Sequence, residues 1–195
     1  MSEQSFTAQN TAMLLIDHQV GTMGWVRSIE FDELKANSLA LAKTAKALDI
    51  PLVLTSSMEA YAQGPLLSEL ADIAPEEFAS RIQRQGVVNA LDDENFAAAV
   101  KASGRRKLII AGVTNDVCTV YPTLTALSEG YDVQVVADAG GSPTTRADEI
   151  SIRRMERAGA TITSTNQLLA ELAVSWASPE GTAILPILSE LLPQQ

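Results

Sequence analysis

The chain has 195 residues, 46% of them hydrophobic and 19% charged, a composition too apolar for intrinsic disorder and a length that one hydrophobic core organises as a single domain. Fourteen basic against 24 acidic residues leave a formal charge of −10, which repels phosphate backbones and excludes nucleic acid as a partner. No apolar run approaches the roughly 18 residues that a membrane-spanning helix requires. One cysteine and one histidine can form neither an intramolecular disulfide nor a Cys/His zinc site.

The opening stretch, MSEQSFTAQN, is polar and has no basic segment followed by an apolar one, so a cytoplasmic protein is expected. The first short apolar run, Ala12 to Ile16, predicts a strand buried on both faces. Leu34, Leu39, Leu41, Ala45 and Leu48 then recur at helical spacing. Pro51 to Thr55 predicts a second strand, Phe96 to Ala102 a helix, and Leu108 to Val113 a third and central strand. A helix around Leu124 to Leu127, a strand over Val133 to Ala137, a helix over Ile150 to Ala158, a weaker strand at Thr161 to Thr163 and a helix over Leu168 to Trp176 complete the series. This alternation predicts right-handed crossovers and a three-layer α/β/α domain: a mostly parallel, open, twisted sheet with helices on both faces. Small ligands of such sheets bind beyond the carboxyl ends of the strands.

The residues at those ends are rich in reactive groups: Asp17, His18 and Gln19 after the first strand, Ser57 to Glu59 after the second, Thr114 to Cys118 after the central one, and Asp138 after the next. Asp138 and Ser57 are also ordinary turn and cap residues. A lone cysteine is by default a small buried hydrophobe. Cys118, however, sits where a buried strand turns into a helix, and backbone N–H groups with the positive end of the helix dipole favour a thiolate there. A nucleophilic thiol needs a base, and Asp17 and His18 are the candidates. Neighbours on a strand point to opposite faces, so at most one is aimed at Cys118, and periodicity leaves the choice open. A single histidine is commonly a hydrogen-bonded structural residue. Pro122, four residues after Cys118, would clash with its carbonyl in a regular helix, so the helix start is expected to be irregular. Substrate-facing side chains are expected from the loops Gly21 to Arg27 and Glu59 to Leu67, and Gln19, Glu59 and Asn115 are the candidate pocket residues.

Three motifs in order, Leu-Leu-Ile-Asp-His-Gln at 14 to 19, Ala-Gly-Val-Thr-Asn-Asp-Val-Cys at 111 to 118 and Glu-Gly-Tyr-Asp-Val-Gln-Val-Val-Ala-Asp-Ala at 129 to 139, resemble the isochorismatase-like cysteine hydrolases, and most of all their YcaC-like branch. The resemblance runs from about Ala12 to Trp176. It implies a triad of Asp17 as base, Cys118 as nucleophile and Arg84 as the basic member, with Arg81 a rival for the last role. Arginine does not release its proton, so its part would be electrostatic. The resemblance also implies a non-proline cis peptide between Val113 and Thr114, and an oxyanion hole made of the Thr114 and Cys118 backbone N–H groups. The family often has threonine where this chain has Asn115. Nicotinamidases of the same superfamily hold a metal with an aspartate and two histidines, which one histidine cannot supply, so neither metal nor cofactor is expected.

Isochorismatases proper lack the nucleophilic cysteine, so Cys118 favours an amidase-like hydrolase that cleaves a C–N bond of a small carboxamide through a thioester. The alternative is a non-catalytic small-molecule-binding or redox-responsive protein that uses Cys118. Beyond Trp176, Pro179 to Leu192 is too apolar for an exposed tail, and Pro186 is expected to break any single helix through it. The domain is therefore expected to span residues 1–178, with 179–195 packed in a subunit contact. The resemblance implies a homo-oligomer larger than a dimer, with an octamer as the candidate size.

Overall fold

The strands are short runs of aliphatic residues buried on both faces, which suits a sheet covered by helices on each side. The computed structural model describes residues 5–192. Its elements are β1 (Thr11–Ile16), α1 (Val20–Gly24), α2 (Phe31–Ala47), β2 (Leu52–Ser57), α3 (Glu69–Ile73), α4 (Pro75–Ala79), β3 (Ile82–Arg84), α5 (Glu94–Ala102), β4 (Lys107–Gly112), α6 (Val120–Ser128), β5 (Asp132–Val136), α7 (Thr145–Ala158), β6 (Thr161–Thr163), α8 (Thr165–Ala173) and α9 (Pro179–Leu191). The six strands pair in the order β3-β2-β1-β4-β5-β6, and every pairing is parallel. The expected fold class holds.

Successive residues of β1 and β4 feed two cores. Met13, Leu15, Ile109 and Ala111 pack with α2, α8 and α9 on one face, while Leu14, Ile16, Leu108 and Ile110 pack with α5, α6 and α7 on the other. Each such aliphatic side chain contributes about 1.5–3 kcal/mol by leaving water. The helices start where polar side chains satisfy free N–H groups: Asp93 accepts from Asn95 and Phe96, Thr144 from Ala147, Ser164 from Gln167 and Ser178 from Gly181.

Two expectations fail on the far side of α8. The helix ends at Ala173 rather than Trp176, because Val174 turns into the left-handed region with φ of 58°. Pro186 lies inside α9 without breaking it. Ile184, Ile187 and Leu188 are buried among residues of α2 and α8, and that burial offsets the roughly 3 kcal/mol that an interior proline costs. One face of the C-terminal segment thus belongs to the core of its own chain, while Leu185 and Leu192 stay exposed. Residues 193–195 lie outside the described residues, as do the first four residues of the polar opening stretch.

The order in which strands are added reverses between β1 and β4, which run parallel: β2 and β3 extend one side of the sheet, β5 and β6 the other. Beyond the carboxyl ends of those two central strands lies the crevice where ligands of doubly wound folds bind.

Candidate active site

Asp17 follows β1 directly and takes a left-handed backbone conformation, φ 60°, and Met58, just past β2, does the same at φ 52°. Such conformations are sparse for residues other than glycine and concentrate at functional sites. Arg84 ends β3, a strand of three residues. It is 1% exposed and the Asp17 side chain 2%, and its Nη2 donates to both Asp17 carboxylate oxygens. Nε donates to Thr55 Oγ1 at 3.0 Å and Nη1 to the Val87 carbonyl at 2.5 Å, so every nitrogen of the guanidinium is used. Paired and hydrogen-bonded in this way, two charges are tolerable away from water.

The third member comes from the turn between β4 and α6. Residues Asn115–Thr119 form one turn of π-helix, closed by Thr119 N–H to the Thr114 carbonyl at 3.1 Å. Pro122 therefore falls in the first turn of α6 rather than in a helix continuous with Cys118, which is the irregular start its ring requires. The Val113–Thr114 peptide is cis, as the resemblance implies. The turn delivers Cys118 to the same cleft as Asp17.

Burial pushes the Asp17 carboxyl above its ordinary value, and the charge and hydrogen bonds of Arg84, with the hydrogen bond from Cys118, pull it partly back. The Cys118 thiol is pushed well up, by burial first and then by the charge and hydrogen bond of Asp17, against the weaker pull of a Thr114 backbone hydrogen bond and of Arg84. The expected stabilised thiolate is thus corrected: desolvation and a neighbouring carboxylate outweigh the turn's N–H groups, and the resting sulfur is a thiol.

Asp17, Arg84, Thr114 and Cys118 line one cleft of about 290 Å³. Its other walls are mainly apolar, from Trp25, Met58, Val87, Val88, Val117 and Pro143, with Thr22, Ser57, Gln63 and Asp116 as polar members. The loops 21–27 and 59–67 contribute Thr22, Trp25 and Gln63, as anticipated. Val87, Val88 and Pro143 carried no sequence signal beyond the nearness of the two valines to Arg84.

Three candidate pocket residues do not reach the cleft. Gln19 is buried, donating to the Ser57 and Gly64 carbonyls and accepting from Ser57 N–H, so its amide ties two loops together. Glu59 is held by Arg81 through Nε at 2.7 Å and Nη2 at 3.0 Å and by Ser56 at 2.6 Å. That pairing occupies Arg81 and removes it as a rival to Arg84. Asn115 is fully buried and donates to the Ala137 carbonyl and to Asp148, both at 3.1 Å. Its place requires Gly140, where a Cβ would stand 2.2 Å from Asn115 Oδ1.

His18 does not line the cleft. Its Nε2 meets the Ala139 carbonyl at 2.8 Å, and burial lowers its pKa to about 4. Asp138 accepts from Thr165 N–H and hydroxyl, a cap and not a site residue. Among the described residues no group of three or more His, Cys, Asp or Glu side chains is placed to hold a metal ion, and no helix is long and apolar enough to cross a membrane.

The isochorismatase domain model matches residues 11–167. The chain belongs to the isochorismatase family. It is 42% identical over 177 residues to Escherichia coli YcaC, named a probable hydrolase, with 90% of this chain and 84% of that protein covered. The crystal structure of the E. coli protein, described as an octameric hydrolase of unknown specificity, and that of Pseudomonas aeruginosa YcaC with hexane-2,5-diol and covalent acrylamide each superpose with a TM-score of 0.88 at 38% identity, covering 98% of this chain and 96% of theirs. A nicotinamidase from Bacillus subtilis, 13% identical with a TM-score of 0.67 over 80% of this chain and 99% of its own, shares the fold.

Proposed function

We propose that this member of the isochorismatase family is a cysteine hydrolase that cleaves a C–N bond of a small carboxamide through a Cys118 thioester. The observation that carries the reading is the convergence of Asp17, Arg84 and Cys118 in one small cleft at the carboxyl ends of β1, β3 and β4. A carboxyl whose pKa is raised by burial is a better match to a thiol than an exposed one, because proton transfer is most efficient between groups of similar affinity. Asp17 takes the thiol proton as the sulfur attacks the carbonyl carbon, and Arg84 holds the carboxylate in place.

The oxyanion so formed is held by the Thr114 and Cys118 N–H groups, each donor worth about 2.7–4 kcal/mol in comparable sites. Asp17 returns the proton to the leaving nitrogen, the C–N bond breaks, and ammonia or an amine departs. A water molecule, deprotonated by Asp17, then opens the thioester and restores the thiol. P. aeruginosa YcaC carries a covalent acrylamide; acrylamide joins a nucleophile through its alkene carbon with the amide left intact, so the adduct supports a reactive nucleophile in that relative and not amide cleavage. The redox-responsive alternative draws no support here, since the thiol is pushed up and has no second cysteine to pair with. The octameric description of E. coli YcaC supports a homo-oligomer for this chain as well.

The test is ammonia release from a panel of small carboxamides, with intact-mass trapping of the acyl adduct. Cys118→Ala should abolish release and adduct while leaving the thermal transition near that of the wild type, because little volume is lost. Turnover near the wild-type rate in Cys118→Ala would refute the mechanism.

A further inference from the structure

The cleft holds one charge that the proposed chemistry does not use. Asp116 sits two residues before Cys118 on the π turn and lines the same cleft. One of its carboxylate oxygens, Oδ1, is sealed from solvent and has no hydrogen-bond partner among the described residues. Among the described residues Asp116 forms no ion pair, and Arg84, the basic side chain that lines the cleft, is committed to Asp17, Thr55 and Val87. Asp17 and Arg84 cancel, the thiol is neutral at rest, and Asp116 leaves the cleft with an uncompensated negative charge. Around it stand Trp25, Met58, Val87, Val88 and Val117, apolar side chains that offer no counter-charge to the carboxylate.

We propose that Asp116 determines the charge specificity of the site: the cleft takes neutral or cationic carboxamides with a small apolar body and rejects those bearing a carboxylate. An anionic ligand would meet a like charge with no basic group to hold it, whereas the field of the Asp116 carboxylate would draw a cationic tail into the cleft. The proposal rests on the reading of this cleft as the substrate site, but its test needs no hydrolysis.

Three methanethiosulfonates with one reacting group and different tails, methyl, trimethylammonioethyl and sulfonatoethyl, label Cys118 as the sulfur displaces methanesulfinate. Their rates are read by intact mass and normalised to their rates with 2-mercaptoethanol. The expected result is labelling by the cationic reagent about tenfold or more faster than by the anionic one, with the neutral reagent between them and the difference shrinking at high salt. Asp116→Asn should bring the ratio close to one, and Asp116→Glu should preserve it. Equal rates in the wild type, faster labelling by the anion, or no labelling by any reagent would overturn the proposal. A ratio unchanged in Asp116→Asn would also overturn it, by assigning the preference to the net charge of the whole protein. Failure to release ammonia from any amide would count against the hydrolase alone, because the labelling ratio is independent of turnover.

Discussion

Replacing Asp17 by asparagine separates two effects of one carboxylate, because it removes the base and at the same time removes the charge that holds the Cys118 proton in place. After burial, the charge of the Asp17 carboxylate is the main cause that raises the thiol. A unit charge about 4 Å away is worth about 4 kcal/mol at an effective dielectric near 20. At about 1.36 kcal/mol per pH unit this gives a ceiling of about three units, and Arg84 offsets part of it in the wild type. With Asp17 neutral, Arg84 loses its counter-charge and pushes in the same direction. The alkylation of Cys118 by iodoacetamide should therefore reach its midpoint at least about one pH unit lower in Asp17→Asn, while ammonia release falls by about 10²–10⁴ for want of a proton acceptor. A thiol that alkylates more readily in an enzyme that turns over less is the signature. The sequence alone suggests the opposite sign, since a strand-end carboxylate read only as a base predicts a higher thiol pKa once it is gone. An unchanged or raised midpoint would refute the electrostatic reasoning. If the unpaired Arg84 prevents folding, the Asp17→Asn/Arg84→Gln double variant keeps the test, because the effect of Asp17 on the thiol outweighs that of Arg84.

The fold was legible because four strands are mainly apolar runs, with Thr161 to Thr163 a weaker fifth, and five helices carry an apolar stripe, two periodicities that differ enough to be told apart. β3 was not, for a physical reason. Three residues, Ile82, Gln83 and Arg84, are too few to express any period, and their partner is an already complete β2. Yet β3 carries Arg84 into the site, so the resemblance, and not periodicity, located the basic residue. The site itself was legible in Asp17 and Cys118, because both stand where a buried strand stops. The roles of Gln19, Glu59 and Asn115 were not, since a polar residue at a strand end serves equally well as ligand contact or as loop tie, and only the partners of its side chain decide. The thiol's pKa was misjudged for the same kind of reason. A turn start announces its N–H groups in the sequence, but the depth of burial and the contact with Asp17 exist only in three dimensions.

Removing Arg84 should cost more than an ordinary surface arginine: Arg84→Ala leaves Asp17 buried and uncompensated, and a loss of about 3–5 kcal/mol in urea unfolding is expected together with loss of ammonia release; a loss below about 1 kcal/mol would show that water reaches the carboxylate. His18 should govern part of the acid limit. Its folded pKa of about 4 against 6.5 unfolded means that the unfolded chain binds the extra proton, so stability is intact above about pH 6.5 and falls by about 3 kcal/mol as the pH approaches 4. His18→Gln, which retains a donor for the Ala139 carbonyl, should flatten the slope of stability against pH in that window, and an unchanged slope would place the acid sensitivity elsewhere. The last prediction concerns assembly. Deleting the chain after Trp176 would be the obvious test of a C-terminal subunit contact, but α9 buries Ile184, Ile187 and Leu188 in its own core. At about 1.5–3 kcal/mol each their loss rivals the whole stability of a typical domain, so the truncated chain would fail to fold and say nothing of contacts. The outward residues are the informative ones: Leu185 and Leu192, 43% and 49% exposed, lie opposite the packed face. Leu185→Glu should leave the thermal unfolding of the subunit nearly unchanged and reduce the particle mass in light scattering from the oligomer toward smaller species, because a buried unpaired charge at a contact is costly. A mass unaffected by Leu185→Glu, with wild-type stability, would place the subunit contact on another face of the domain.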